Sequence, residues 1–382
     1  MRSLIYLVAG EASGDVLGAR LIAAMRRADH GLEFSGIGGE RMAEQGMASL
    51  FPMQDLTVMG LAEVLPRLRL LRARLDQTVE DILRRRPVVV VTIDSPGFCT
   101  RVLRRIAEQG IRRVHYVAPQ VWAWRSGRVR HFPGLWDKLL CLLSFEPEFF
   151  APYGLAPVFV GHPVLESGAD QGSPERFRTK YGLPAAAKPM ILMPGSRRGE
   201  ISRLMPIYGE VMRRLTDKGM DLVPVLAAAA PAMLAQLEEA SVSWPIKPLM
   251  ITGIADRYDA FAAAAVALTK SGTATLELAM AGTPMGVTYR VNALTAIIAR
   301  RMVTVQHAAL VNLLFGGELV PELIQGHCSP DRLANMVASL LNDSAAQERQ
   351  IAGFAQVRAS LWPKSHALPS DEAATAILEL LN

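Results

Sequence analysis

Leu7-Val8-Ala9-Gly10-Glu11-Ala12-Ser13-Gly14-Asp15 follows the apolar run 4–8 and decides the fold, because its plan returns later in the chain. The second copy is Met193-Pro194-Gly195-Ser196-Arg197-Arg198-Gly199-Glu200, after the apolar run 190–193. Each reads as a short buried strand entering a tight turn and then a helix. Such a turn leaves free backbone N–H groups at a helix start, which suits an anionic ligand. One copy per half predicts an α/β chain of two Rossmann-like, doubly wound domains facing an inter-domain cleft, with a phosphorylated ligand between them.

Working outward, the first half alternates strands and helices. Strands are predicted at 3–8, 32–37, 88–93, 114–117, 139–143 and 157–160, with helices at 15–27, 40–45, 61–86 and 101–109. Val88-Val89-Val90-Val91 is apolar and β-branched throughout, as a strand buried on both faces of a parallel sheet requires. The polar stretch 167–173 reads as a linker, after which the alternation restarts and runs to strand 285–289; the tail from Asp331 is helical. Strands separated by helices imply right-handed crossovers and mainly parallel sheets. The expected division is 1–166, 167–350, and C-terminal helices 351–382 that pack back on the first domain.

A chain of 382 residues exceeds the usual ceiling for one core. Half of it is hydrophobic, yet no apolar stretch reaches membrane-span length and no signal-peptide layout opens it. Three scattered cysteines fit neither a disulfide framework nor zinc spacing, which points to a reducing cytosol. The net charge of +5 and pI near 9.2 favour phosphorylated ligands or an anionic membrane surface. Nucleic acid is disfavoured, since no zinc finger, RNA-binding signature or basic-aromatic ladder occurs. The five histidines weighed show no mutual ligand spacing, so no metal is expected.

Several turns could carry chemistry. Lys270-Ser271-Gly272-Thr273-Ala274-Thr275-Leu276-Glu277 joins a strand to a helix, where hydroxyls and N–H groups could hold a diphosphate. Glu277 could accept from ribose hydroxyls; equally, Thr273 could cap the helix and Glu277 favour its dipole. Arg197 could bridge phosphate oxygens through both arms of its guanidinium, or be an ordinary surface arginine. Asp94, in Thr92-Ile93-Asp94-Ser95-Pro96-Gly97, stands at the C-terminal end of a central strand. Ligands bind at that edge in open α/β sheets, which makes it a candidate general base, or else a turn aspartate. Pro119-Gln120-Val121-Trp122-Ala123-Trp124-Arg125 could present flat rings to a sugar, or place one tryptophan in the core.

The region 61–86 keeps apolar residues at helical spacing with arginines among them. Such a helix could lie on an anionic bilayer or pack on a sheet. Gly10-x-x-x-Gly14 lacks the dinucleotide spacing, and no P-loop motif occurs, so a dehydrogenase and a P-loop kinase are excluded.

Taken together, the motifs LVAGEASGD (7–15), VMGLAEVL (58–65), IDSPGF (93–98), HYVAPQVWAWR (115–125), FVGHP (159–163), PGSR (194–197), SGTATLE (271–277), GTPMGVTYR (282–290) and VNLLFGGELVPELIQ (311–325) closely resemble the lipid-A-disaccharide synthase family of glycosyltransferases. The resemblance implies a B-type glycosyltransferase fold and inverting transfer from UDP-2,3-diacylglucosamine to 2,3-diacylglucosamine 1-phosphate. The product is a β-1,6 disaccharide 1-phosphate, made without metal or other cofactor, the UDP-sugar being a substrate. It assigns catalytic roles to Asp94, Arg197 and Asn312. Substrate contacts are implied for Gly10, Glu11, Ser13, Gly14, Gln120, Trp122, Gly195, Ser196, Glu200, Ser271, Gly272, Thr273, Thr275, Glu277 and Tyr289. Leu61, Leu65, Leu68, Arg69, Leu71 and Arg72 would face the membrane. The implied setting is cytoplasmic, peripheral on the inner face of the inner membrane, with a homodimer left open.

Three departures from the family pattern stand out: Gly97-Phe98-Cys99, the run His307 to Val311, and Lys270 in place of the usual alanine. A UDP-sugar 2-epimerase on the same architecture is the alternative reading, and a nucleotide-sensing membrane adaptor a third.

Overall fold

The computed structural model describes residues 3–56, 61–228, 231–292, 296 and 302–381. The chain divides into two compact units, Met1–Pro163 with Leu361–Asn382, and Val164–Ser360.

The first unit is built on one six-stranded parallel sheet, ordered β2-β1-β3-β4-β5-β6. Its strands are β1 (Leu4–Ala9), β2 (Glu33–Ile37), β3 (Val89–Ile93), β4 (Arg112–Tyr116), β5 (Lys138–Cys141) and β6 (Pro157–Phe159). Helices α1 (Ala12–Ala28), α2 (Glu40–Glu44), α3 (Leu61–Arg85), α4 (Pro96–Arg105) and α5 (Glu146–Phe150) supply the crossovers and connections. All five residues of β3 are buried, as the valine run requires of a strand covered on both faces. Helix α4 starts five residues earlier than expected, because Pro96 at its first position is preset for helix while its missing N–H costs nothing there.

Two sequence details fix the edge of this sheet. Gly36, at φ +138°, lies in register with Leu7, and a Cβ there would stand 1.9 Å from the Leu7 carbonyl oxygen. Asp15 is buried in α1 and accepts from the backbone N–H groups of Gly39 (2.7 Å), Arg41 (3.0 Å) and Met42 (3.1 Å). One carboxylate from α1 therefore satisfies the orphan amides that open α2.

The second unit repeats the plan with sheet order β12-β11-β10-β7-β8-β9. Its strands are β7 (Pro189–Met193), β8 (Val223–Ala227), β9 (Leu249–Ile251), β10 (Val266–Lys270), β11 (Met285–Tyr289) and β12 (Glu322–Ile324). Around it lie α6 (Pro174–Tyr181), α7 (Arg198–Asp217), α8 (Leu234–Ser241), α9 (Ile254–Ala263), α10 (Ala274–Met280), α11 (Leu310–Phe315), α12 (Pro330–Asn342) and α13 (Ser344–Ser360). The stretch read as a linker is anchored on α9. Ser173 N–H donates to Asp259 at 2.7 Å, and a Cβ at Gly172 would stand 2.0 Å from the Tyr258 carbonyl oxygen.

After α13 the chain returns to the first unit. Helix α14 (Pro369–Leu378) meets α1 through Arg27 and Asp371 at 2.5 Å, and its Ala376 carbonyl accepts from Lys138 at 2.6 Å.

Candidate functional site

Strands β1 and β3 are neighbours, so their C-terminal ends bring the first turn and Asp94 together. Gly10 is buried there, and a Cβ would lie 2.5 Å from Ser95 Oγ, so any side chain at this position would displace Ser95. Gly14 sits against the Ile93 carbonyl, where a Cβ would be at 3.4 Å. Glu11 is exposed at the start of α1. Asp94 and Ser95 both take left-handed backbone angles, φ 53° and 44°, a costly conformation for residues with side chains. The Asp94 N–H is tied to the Tyr116 carbonyl at 2.9 Å. Its carboxylate is half-buried, with Oδ1 accepting from Ser95 N–H at 2.8 Å and Oδ2 accepting from the exposed Ser13 hydroxyl at 3.4 Å. Asp94 is therefore not the cap of α4. It is a carboxylate aimed by its own strained turn, with one oxygen held firmly and the other only loosely.

Past β4, Gln120 is exposed, but the tryptophans part company. Trp122, expected among the substrate contacts, is only 7% exposed. Its Nε1–H donates to Glu146 Oε1 at 3.0 Å and its ring meets Phe145 edge-on at 4.8 Å, so it packs in the core. Trp124 is the exposed ring, with Arg125 over it at 4.9 Å. Burial pushes the Glu146 carboxyl up to about 7, against the pull of N–H donors from Leu143, Trp122 and Leu142.

In the second unit, the ends of β7, β10 and β11 lie side by side. Gly195 takes φ +115°, and a Cβ on it would stand 2.3 Å from Glu200 Oε2. That oxygen accepts from the N–H groups of Ser196 (3.1 Å) and Arg197 (3.3 Å). The other carboxylate oxygen meets Lys270 Nζ at 3.0 Å and Arg197 Nη1 at 3.4 Å. Burial raises the Glu200 carboxyl, but the hydrogen bond and charge of Lys270, with Arg197, outweigh it and hold the group below its usual value. The turn expected to cradle an anion thus already holds one, supplied by its own helix. Lys270, the departure from the family pattern, is that carboxylate's counter-ion and also approaches the Tyr289 ring at 5.6 Å.

The next turn is more open. Gly272 takes φ +152° with nothing within 4 Å of where a Cβ would stand, and Thr273 is exposed. The backbone N–H groups of Gly272, Thr273 and Ala274 meet no carbonyl among the described residues. Thr275, by contrast, is fully buried and gives its hydroxyl hydrogen to the Gly272 carbonyl at 2.8 Å. Ser271 Oγ donates to the Ala308 carbonyl at 2.5 Å. Burial raises the Glu277 carboxyl despite Arg257 and the Tyr258 hydroxyl, which donates to it at 3.1 Å.

Asn312 differs most from its expected role. It is fully buried, and its amide makes four hydrogen bonds. Nδ2 donates to the Val320 carbonyl and to Glu322 Oε1, both at 2.8 Å; Oδ1 accepts from Leu319 and Val320 N–H, both at 2.9 Å. Two donors and two acceptor sites are the whole capacity of an amide, so none remains for a substrate. Glu322 in turn accepts from the N–H groups of Ala308 (2.8 Å) and Ala309 (3.0 Å), next to the carbonyl that holds Ser271. Asn312 is a positioning residue at the root of a relay that ends on the β10 turn. No local signal in the sequence marks Glu322, its main partner.

Helix α3 is divided along its length. Thr78, Val79, Asp81 and Ile82 are buried, whereas Arg67, Leu68, Arg69, Leu70 and Arg72 are exposed, Leu68 at 45% and Leu70 at 37%. Leu71 is half-buried. Val58, Met59 and Gly60 lie outside the described residues, as do the side chains of Leu61 and Leu65. Among the described residues no helix is long and apolar enough to cross a membrane, and no three His, Cys, Asp or Glu side chains gather as metal ligands. Replacing Asn312 by alanine takes one donor from Glu322 and leaves the buried N–H and carbonyl of Val320 without their partner, so Asn312→Ala is expected to cost about 2–4 kcal/mol by urea unfolding.

Residues 5–376 match the family described as lipid-A-disaccharide synthetase. A lipid-A-disaccharide synthase of Granulibacter bethesdensis is 55% identical over 388 residues, covering 99% of this chain and 98% of the relative. Among solved structures, the glycotransferase of kitacinnamycin superposes with a TM-score of 0.63 at 17% identity, covering all of both chains. A UDP-GlcNAc 2-epimerase from Neisseria meningitidis does so with a TM-score of 0.64 at 11% identity, covering 100% of this chain and 99% of the other. At those identities the structures establish the fold, two Rossmann-like units of B-type glycosyltransferase architecture, while the sequence match is specific: the chain belongs to the lipid-A-disaccharide synthase family.

Proposed function

We propose that this chain joins UDP-2,3-diacylglucosamine to 2,3-diacylglucosamine 1-phosphate, giving the β-1,6-linked lipid A disaccharide 1-phosphate and UDP. Inversion is a single displacement. The acceptor O6 attacks the anomeric carbon, the bond to the UDP oxygen breaks with its electron pair, and the O6 proton passes to a base. The observation that carries the reading is the aim of Asp94 in the first unit. Oδ1 is fixed by Ser95 N–H at 2.8 Å, leaving Oδ2, with its 3.4 Å contact to Ser13, as the proton acceptor.

The second unit takes the nucleotide. Glu200 keeps the Ser196 and Arg197 amides, so the charge of departing UDP falls to the Arg197 guanidinium and the N–H groups of Gly272 to Ala274. Lys270 is taken up by Glu200 and so offsets that carboxylate's charge beside the nucleotide. Glu277, braced by Tyr258, holds the ribose hydroxyls. Acyl chains keep both sugars at a bilayer, and the exposed leucines and arginines of α3 supply the anionic-membrane contact on the inner face of the inner membrane.

Mixing purified protein with both sugars and seeking the disaccharide by mass spectrometry tests the reaction. Epimerised donor without any need for acceptor would favour the 2-epimerase alternative. Asp94→Asn is expected to keep UDP affinity while transfer falls by at least about 100-fold. Arg197→Ala is expected to weaken both; a normal UDP dissociation constant would remove Arg197 from the nucleotide site. Leu68→Ser with Leu70→Ser is expected to release protein from anionic vesicles in a flotation assay, and unchanged binding would refute the α3 contact.

A further inference from the structure

A cavity of about 310 Å³ opens in the first unit, and its rim begins at Pro96, two residues past Asp94. One wall is a stripe of α4, where Gly97, Arg101 and Arg104 recur at the spacing of one helix face. The facing wall is a short 3-10 helix, Ser126–His131, whose Arg128 and His131 eclipse one another at a three-residue spacing. Arg104 Nη2 reaches across to the His131 carbonyl at 3.5 Å, tying the walls together. No acid lines the cavity, and Arg101 and Arg128 have no acidic partner among the described residues. At Gly97, where the sequence departs from the family pattern, a Cβ would meet nothing within 4 Å, so the mouth is open.

The geometry points to a phosphomonoester subsite: this cavity receives the 1-phosphate of the acceptor sugar. The inference rests on the proposed transfer reaction and adds where the acceptor is held. Three arginines lining one hollow, with no carboxylate on its wall to neutralise them, suit a dianionic phosphate, which several charge-assisted hydrogen bonds can grip at once. The position suits the chemistry too. Pro96 at the rim lies within about 7 Å of chain from Asp94, so the cavity opens beside the end of β3 that carries the carboxylate. A phosphate seated among Arg101, Arg104 and Arg128 leaves the 6-hydroxyl, on the opposite side of the ring, free to face Asp94. The exposed Trp124 ring at the same rim offers the sugar a flat apolar surface.

The test compares acceptors with and without the 1-phosphate. Wild type is expected to favour the phosphorylated acceptor in kcat/KM. In Arg101→Gln/Arg128→Gln that preference should shrink about 10- to 100-fold, through KM for the acceptor, while UDP affinity measured by calorimetry stays put. The pair Arg101→Lys/Arg128→Lys keeps the charge and should recover part of the preference, which a merely structural role would not do. Full preference retained in the glutamine pair overturns the inference. So does loss of binding to phosphatidylglycerol vesicles with the preference intact, which would assign the arginines to lipid headgroups. Absence of disaccharide from wild type with either acceptor would overturn the transfer reading itself, and the subsite with it.

Discussion

The first unit depends on a single steric fact: where β1 and β3 end side by side, Gly10 and Ser95 touch. A Cβ on Gly10 would overlap the serine hydroxyl at 2.5 Å. Its absence lets residues 94 and 95 hold consecutive left-handed conformations, which turn the chain sharply from β3 into α4. That turn aims the Asp94 carboxylate off the sheet edge and starts α4 where its arginine stripe can line the neighbouring cavity. Backbone strain of this kind persists only when the packing around it over-determines the conformation. Asp15 belongs to the same arrangement, because by capping α2 it locks the chain that follows β2.

The second unit solves a different problem, that of holding open polar turns without a ligand. Glu200 neutralises Lys270 and satisfies two amides of the β7 turn. Buried Asn312 and half-buried Glu322, hydrogen-bonded to each other, fix the segment on which Ser271 leans. Buried polar groups are costly unless satisfied, and here they are satisfied by one another. The result is a preorganised surface in which the Arg197 guanidinium and the Gly272 to Ala274 amides are the groups left for an incoming anion.

Most of the fold was legible because parallel sheets write themselves locally. The valine run of β3, the buried β1 and β7, and the glycine turns after them need no distant partner to be recognised. Strand β12 and helix α11 were not, being three and six residues long and held by contacts across the loop 308–322. Site residues divide along the same line. Asp94 and Arg197 are visible because a strand end places them. The burial of Trp122, its hydrogen bond to Glu146 and the saturation of Asn312 follow from partners up to two dozen residues away, which no periodicity encodes. In α3 the helical pattern was clear, yet the same pattern serves packing at one end and exposure at the other.

The central claim is a one-step displacement in which the Asp94 carboxylate takes the acceptor proton as UDP departs. The most direct measurement is the anomeric configuration of the disaccharide made by the purified chain, read from the proton coupling at the new linkage by NMR. A β linkage from the α-linked UDP donor is the expected result. An α linkage would mean that configuration is retained, which a single back-face displacement cannot give, and would contradict the account.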